Sequence, residues 1–501
     1  MKSLFFSITL MLLSVNISYS QVKGTIVSDT GNITIVKVWG THYERGYAYG
    51  FLLSSRILNV YNNYLKPAFG ANLQNAKTIV QQGTLIRIDQ DYKDEAQGMI
   101  SGISDAGGNI TGMDYSDLLV ANSYLDLQGI TTFKNLNFKN GCSSLMSWDA
   151  ATNGTTLNGK SAITRHLDWS VNSTLNSNQV MVIHIPSETD EQPWALIGFA
   201  GQMSALSGFN NSGVSAFQHM MSGTGLGAGS SSSSYEPIWF TIRKGLEKYD
   251  YNNDGLHNVQ DIKDALLSNT LGYADGFIVA TMGPAASNQD SLIACVAELT
   301  PATPYITFRT NTFADSIPSD NLYVANSPIK RNNAYNFCTR YNNVKNNIGN
   351  GLLISANQNW DIMRLYSNVG AGNIQMIQLI PEDRTLNLAV YKLGRPAYQN
   401  NKKTFNIDSL FSITTNIISI SKDEFFIYPN PAKTKLYLGS NGSANIISYK
   451  IYDNTGKIVV SEEASNNSNQ ISVDLKSFSN GIYYLNIDSK KGKTSIPFVV
   501  N

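Results

Sequence analysis

Two rhythms of apolar residues alternate between Val22 and Lys402. In Tyr43–Leu65 and Glu95–Ala106 they return at the spacing that lays one apolar stripe along a helix. Ile33–Trp39, Gln179–Ile185 and Leu386–Tyr391 are instead short runs of β-branched and aromatic residues, which favour strands. Helical spacing dominates before Cys142 and strand runs dominate after it. That order predicts one large α/β unit whose first part wraps a sheet-rich second part. Gly223–Ser234 is almost entirely Gly and Ser, too poor in apolar surface to hold one shape. It is expected to be a mobile loop, either a plain surface insertion or a lid over a pocket.

Residues 403–421 shift to a Thr/Asn/Ser/Ile composition and read as a linker. A separate unit, 422–501, then shows short β runs at Lys435–Leu438, Ser448–Tyr452, Lys457–Val460, Gln470–Asp474, Ile482–Ile487 and Ser495–Val500. Turn residues at 453–456 and 479–481 divide them, and the spacing predicts a small β-sandwich. It has no cysteine, histidine or carboxylate cluster, so no catalysis is assigned to it.

The length, 501 residues, agrees with more than one folding unit. Basic and acidic residues number 37 each, so no bulk field draws the protein to nucleic acid or anionic lipid. Lys2, the apolar run Leu4–Leu13 and the small residues Ser18 and Ser20 form an expected export signal over residues 1–20, with Gln21 as the mature start. That run is too short to cross a bilayer, and no later segment qualifies as a span. Three cysteines in an exported chain leave at least one thiol over. If Cys295 and Cys338 pair, the odd one is Cys142; the sequence leaves that pairing open.

Cys142 follows Gly141 at the head of a strand-like run ending at Trp148. A thiol needs a base or a nearby positive charge to become a nucleophile. A cut after Gly141 would give Cys142 a free α-amine, whose ordinary pKa of about 7.7–8.0 suits proton exchange near neutrality. A glycine there allows the tight backbone that attack on its own carbonyl requires. Downstream, Ile163–Trp169 reads as a second strand, with Arg165 and His166 on opposite faces. The two strands would form a hairpin that returns Arg165 and Asp168 to Cys142. A guanidinium there steadies a thiolate, and a carboxylate holds an ammonium.

Four motifs carry a resemblance to the penicillin acyltransferase-like hydrolases, relatives of the choloylglycine hydrolases and acid ceramidase. They are Gly40–Gly50, Gly141–Ser144 with Arg165–Trp169, Gly208–Val214, and Tyr323–Pro328, in that order. The resemblance spans about residues 33 to 395 and implies a four-layer αββα N-terminal-nucleophile fold with a cysteine freed by self-cleavage. It makes Cys142 the nucleophile of a hydrolase domain over 142–402, leaving residues 21–141 as a segment that cleavage can release. It further implies that Asp168 orients the amine, Arg165 steadies the thiolate, Asn326 donates to the oxyanion, and Asn211 or its backbone completes that hole. A further family arginine is harder to place; Arg364 is the candidate. The reaction implied is hydrolysis or acyl transfer at a small-molecule or peptide amide, through an acyl-Cys142 intermediate and without an organic cofactor. A phospholipase-B-like esterase with the same nucleophile, or a non-catalytic calcium-dependent binding protein, stays open beside it.

The C-terminal unit resembles the type IX secretion sorting domain of Bacteroidetes, through Tyr428–Pro431, Ile451–Asp453 with Gly456, Leu475, Gly481–Tyr484 and Lys493. The resemblance implies passage through type IX secretion machinery, by way of the periplasm, to the outer surface or beyond.

An insertion at 238–268 holds one more motif. Asp250, Asn252, Asp254, Leu256 (through its carbonyl), Asn258 and Asp261 fall at the ligand positions of an EF-hand loop, with Gly255 at the turn. Apolar spacing predicts flanking helices around Ile238–Leu246 and Ile262–Leu266. A single structural Ca2+ is expected; a cohesin-docking module would carry two loops.

Overall fold

The structure is a computed structural model that describes residues 22–501, apart from 131–132, 134–140, 170, 224–225, 231, 286–291, 311–312, 314–316, 332–337, 368, 413–424, 441–445, 454–456, 465–469 and 490–491. The expected export signal lies outside the described residues. The chain divides into two units, up to Ser412 and from Ile413.

The first unit is built on two sheets. Its strands are β1 (Gly24–Asp29), β2 (Ile33–Gly40), β3 (Gly141–Ser147), β4 (Ala162–Asp168), β5 (Gln179–Pro186), β6 (Trp194–Phe199), β7 (Ser207–Asn210), β8 (Ser215–Met220), β9 (Phe277–Met282), β10 (Ala294–Leu299), β11 (Ile306–Thr310), β12 (Asn321–Val324), β13 (Asn373–Ile380), β14 (Thr385–Val390) and β15 (Lys403–Asn406). One sheet has the order β1-β2-β5-β6-β7-β8-β9-β10-β11 and the other β12-β3-β4-β13-β14-β15. Only β2 and β5 pair in parallel among the described ladders of these sheets.

Alternation along the strands sorts the apolar side chains into layers. Ile35, Met181, Ile183 and Val296 of the large sheet meet Met146, Ile163, Ile377 and Leu379 of the small one in a single core between them. On the other face of the large sheet, Val36, Val38, Val180 and Val279 pack against the helices His42–Val60, Gln90–Asp105 and Ile238–Glu247. On the other face of the small sheet, Leu145, Tyr323 and Met376 pack against Thr339–Asn347 and Ala356–Tyr366. Helix, sheet, sheet, helix is the expected order of four layers.

The opening motif Gly40–Gly50 acts here through packing and charge. The helices His42–Val60 and Gln90–Asp105 cross so closely that a Cβ on Gly46 would lie 1.9 Å from the Glu95 carbonyl oxygen, and one on Gly102 would lie 2.1 Å from that of Tyr47. Beside the crossing, His42 joins Glu95 (3.0 Å) and Glu191 (2.9 Å), while Arg243 joins Glu95 (2.6 Å) and Glu247 (2.8 Å). Arg45 and Lys248 close the network on Glu191. His42, Glu191 and Glu247 converge within 4.8 Å, a spacing a metal could use. Arginine and lysine already supply the positive charge there.

Several expectations change. Residues 403–412 belong to the first unit, because β15 pairs with β14 and Ile407, Leu410 and Phe411 enter the core between the sheets. The Gly/Ser segment is tied down where described: Gly229 bridges Ile130, Tyr235 bridges Ile86, and Ser230 N–H donates to the Tyr235 hydroxyl. Its glycines serve close approach, since a Cβ at Gly229 would meet the Ala274 carbonyl at 2.7 Å. The described part of residues 22–141, the segment that cleavage would separate, is built into the fold. β2 lies inside the large sheet along eight paired positions, and the helices of this segment cover one face of that sheet. Cys295 and Cys338 are both free thiols, Cys295 on β10 facing the helical layer and Cys338 just before the helix Thr339–Asn347.

The second unit is a sandwich of a three-stranded sheet (Phe425–Tyr428, Lys435–Ser440, Gln470–Asp474) and a four-stranded one (Ile458–Glu463, Ile446–Tyr452, Gly481–Ser489, Gly492–Val500). Leu436, Leu438 and Val473 of the first face Ile451, Leu485 and Phe498 of the second. Phe425–Tyr428 is a strand that the spacing of β runs did not anticipate.

Candidate active site

β3 and β4 form the expected antiparallel pair, with Cys142 opposite Leu167, Ser144 opposite Arg165, and Gly141 opposite Asp168. Cys142, Arg165 and Leu167 therefore share the face turned to the large sheet, and His166 faces the other way. Arg165 is fully buried and reaches across the layer. It donates from Nη1 to Ser207 Oγ (2.6 Å) and from Nη2 to the Gln218 carbonyl (2.8 Å). The same Nη2 lies 3.7 Å from Cys142 Sγ. Burial pushes the Cys142 thiol up, and the Arg165 guanidinium pulls against that.

Asn326 stands two residues past β12, whose Val324 pairs with Ser144. The register brings its side chain to Cys142, whose backbone N–H donates to Asn326 Oδ1 at 3.1 Å. Asn326 Nδ2 gives one hydrogen to the Met220 carbonyl (2.6 Å); an amide nitrogen carries a second. Asp168 accepts from Asn373 Nδ2 (2.9 Å), and burial pushes its carboxyl up to about 6.

The sequence reading missed Arg340. From the helix Thr339–Asn347 it donates to the Cys142 carbonyl at 2.9 Å and stands 4.0 Å from Asp168. A Cβ on Gly141 would lie 2.6 Å from its Nη2, so the glycine leaves room for this guanidinium. Nothing in the spacing around Cys338-Thr339-Arg340 marks it. Arg364 is elsewhere, paired with Asp361 on an exposed helix face. Asn373, which holds Asp168, was also unmarked.

Asn211 is not part of this group. Its carbonyl and Oδ1 both accept from Arg384, in the turn between β13 and β14. Asn373 at the start of β13 pairs with Asp168, whereas Arg384 follows its far end at Ile380. At about 3.3 Å per residue, the length of β13 separates Asn211 from Cys142. His166 and His219 are buried, with burial pushing His166 down to about 3 and His219 well below its ordinary value.

An apolar cavity of about 70 Å³ lies in the helical layer, lined by Tyr61, Tyr64, Tyr124, Trp169, Phe199 and Trp239 among others. Trp169 follows Asp168 in the chain. Trp239 Nε1 donates to Gln218 Oε1 (3.0 Å), and the carbonyl of the same Gln218 holds Arg165.

In the Asp250–Asp261 loop, Asp250 accepts from the N–H groups of Asp254 and Gly255, and Asn252 Oδ1 accepts from Asp254. Asp254 accepts from Leu256. Asn258 caps the helix Val259–Leu267, and Asp261 accepts from Tyr251 and Asn258. Asn253 and Gly255 take positive φ, 59° and 81°, which folds the loop tightly. The donor set is all oxygen and suits a hard cation.

Residues 426–501 match the secretion system C-terminal sorting domain. That domain directs the chain through type IX secretion to the cell surface or the extracellular space. Among the described residues no helix is long and apolar enough to cross a membrane. A curated relative, protein dcd1B of Dictyostelium discoideum, is 23% identical over 202 residues, 36% of this chain and 37% of that protein. The chain thus spans little more than a third of that relative's length. An N-acylethanolamine-hydrolyzing acid amidase ortholog from Caenorhabditis elegans aligns over 48% of this chain and 93% of its own, at 14% identity and TM-score 0.34. A conjugated bile acid hydrolase from Clostridium perfringens aligns over 54% and 94%, at 10% identity and TM-score 0.33.

Proposed function

We propose that the first unit is a cysteine hydrolase of amide bonds, which frees Cys142 by cutting its own chain after Gly141 and then carries an acyl group on Sγ. The observation that carries this reading is that both reactive atoms of one residue have fitting partners. Sγ has Arg165 at 3.7 Å and the backbone nitrogen has Asn326 at 3.1 Å, with Asp168 paired across from Gly141.

In the cut chain the α-amine of Cys142 accepts the thiol proton. Asp168 holds the resulting ammonium and Arg165 steadies the thiolate. Sγ bonds to the substrate carbonyl carbon, and the second hydrogen of Asn326 Nδ2 meets the oxyanion. The C–N bond then breaks and the amine leaves with the proton. Water attacks the thioester to release the acid; an amine in its place makes the reaction a transfer. The apolar cavity beside Trp169 and Trp239 favours an apolar acyl group. The Asp250–Asp261 loop serves as a structural calcium site, bound by oxygens of Asp250, Asn252, Asp254, Leu256, Asn258 and Asp261.

The test is to incubate the protein with matched N-acyl amides and esters and to read the mass of the peptide that starts at Cys142. An acyl adduct on Cys142 from the amide, absent in Cys142→Ala, is expected. Turnover of the amide with no adduct at Cys142, and unchanged in Cys142→Ala, would refute the reading.

A further inference from the structure

Between the two sheets, in a layer that is otherwise largely apolar, stands a buried ion pair. Glu298 on β10 and Arg309 on β11 are both fully buried, with Arg309 Nε 3.4 Å from Glu298 Oε1. Such a pair is a poor device for stability, because desolvating two charges offsets most of their attraction. What distinguishes it is what else it holds. Glu298 Oε1 accepts from the backbone N–H groups of Ile329 (2.7 Å) and Lys330 (3.0 Å), and Oε2 accepts from that of Arg331 (2.7 Å). Thr307 Oγ1 adds a fourth donor at 3.2 Å. Arg309 Nη1 donates to the Tyr323 carbonyl at 3.1 Å. The pair therefore grips one segment at both ends: Tyr323 on β12 on one side and Ile329–Arg331 on the other. Asn326 is at the middle of that segment, and its own carbonyl accepts from Ser222 N–H (2.6 Å) and Oγ (3.1 Å).

We propose that Glu298, with Arg309, is the positioning device for Asn326: it fixes the loop that carries the oxyanion donor of the small sheet against the large sheet. The inference rests on the reading of Cys142 as nucleophile given above. Three successive N–H groups can converge on one acceptor here only because it is a carboxylate with free lone pairs on both oxygens. Glutamine has the same shape but turns an N–H₂ toward one of those donors. The loop must then shift, and a shift of about 1 Å at a catalytic group can cost about 100-fold in rate.

The test measures acylation of Cys142 by an N-acyl amide, per folded molecule, in wild type, Glu298→Gln, Asn326→Ala and the double variant. Ile262→Ala, in the helix Val259–Leu267, serves as a control for lost stability. Glu298→Gln is expected to lower kcat about 100-fold with KM nearly unchanged. In the Asn326→Ala background it is expected to add less than about twofold, because both act through one group. Arg309→Lys, which keeps the charge but replaces the planar guanidinium that spans Glu298 and the Tyr323 carbonyl, covers the case in which Glu298→Gln does not fold, and its kcat is expected to fall about tenfold. Wild-type rates in either variant, losses that multiply in the double variant, or a loss matched by Ile262→Ala would overturn the proposal. A wild type that is never acylated would instead remove the nucleophile reading, and the role of Glu298 with it.

Discussion

Arg340 lies against the peptide on both sides of the Gly141–Cys142 bond: its Nη1 donates to the Cys142 carbonyl at 2.9 Å, and its Nη2 fills the space a side chain at 141 would need. Holding the Cys142 carbonyl fixes the residue whose Sγ must reach the Gly141 carbonyl carbon, and small errors in that placement slow the attack. Arg340→Ala is expected to slow chain cleavage by about 100-fold or more, and Arg340→Lys to recover only part of it. The fraction of uncut chain against time on a denaturing gel checks this. Equal rates in all three proteins would remove Arg340 from the site.

Burial raises the Asp168 carboxyl to about 6, so it is charged at neutral pH and neutral in mild acid. Its charged form is the one that holds the ammonium of Cys142. The rate of amide turnover is therefore expected to fall as pH drops through about 6, approaching tenfold per unit below it. A pH–rate profile measures this limb, and Asp168→Asn is expected to lower the plateau and erase the limb.

His42 shows the opposite sign, in stability. Burial alone would lower its pKa, but the carboxylates of Glu191 and Glu95 hold it up at about 9. Its ordinary value is about 6.5. A folded pKa above the unfolded one gives stability that is complete below about 6.5 and is lost as pH rises through about 9. Thermal midpoints are expected to decline over that window in wild type. His42→Gln is expected to give a lower midpoint with a flatter dependence.

A cation bound only by the folded loop raises stability in proportion to the logarithm of its concentration over Kd. Chelation with EDTA is expected to lower the melting temperature, and added Ca2+ to restore it. Asp250→Ala is expected to abolish both responses. Scanning calorimetry reads them, and a midpoint indifferent to chelator would dismiss calcium from the loop.

Much of this architecture could be read from local pattern. The strand alternation at Ile163–Trp169 put Arg165 and His166 on opposite faces, and β4 does so because its two faces meet two different apolar layers. The approach of Arg165 to Cys142 needed only a hairpin. Asn326 followed from its motif, and the register of β12 on β3 brings it to Cys142. What escaped depends on contacts far apart in the chain. Arg340 reaches Cys142 through a helix packed on the outside of the small sheet, and no local spacing encodes that. Asn211 had the right residue type in a turn, but its turn lies at the opposite end of the strands. The Gly/Ser segment looked unable to hold a shape, because composition does not show that Ile130 gives Gly229 a backbone partner or that Ile86 holds Tyr235 at its end.

The central claim is that one residue supplies both the sulfur and the amine, which requires the chain to be cut before it. Intact-mass analysis of the purified protein tests this most directly. The account predicts two fragments that divide between Gly141 and Cys142 and elute together under native conditions, since β2 is held inside the large sheet. It predicts a single uncut chain for Cys142→Ala. Preparations of uncut chain that turn over an amide substrate at full rate would contradict it.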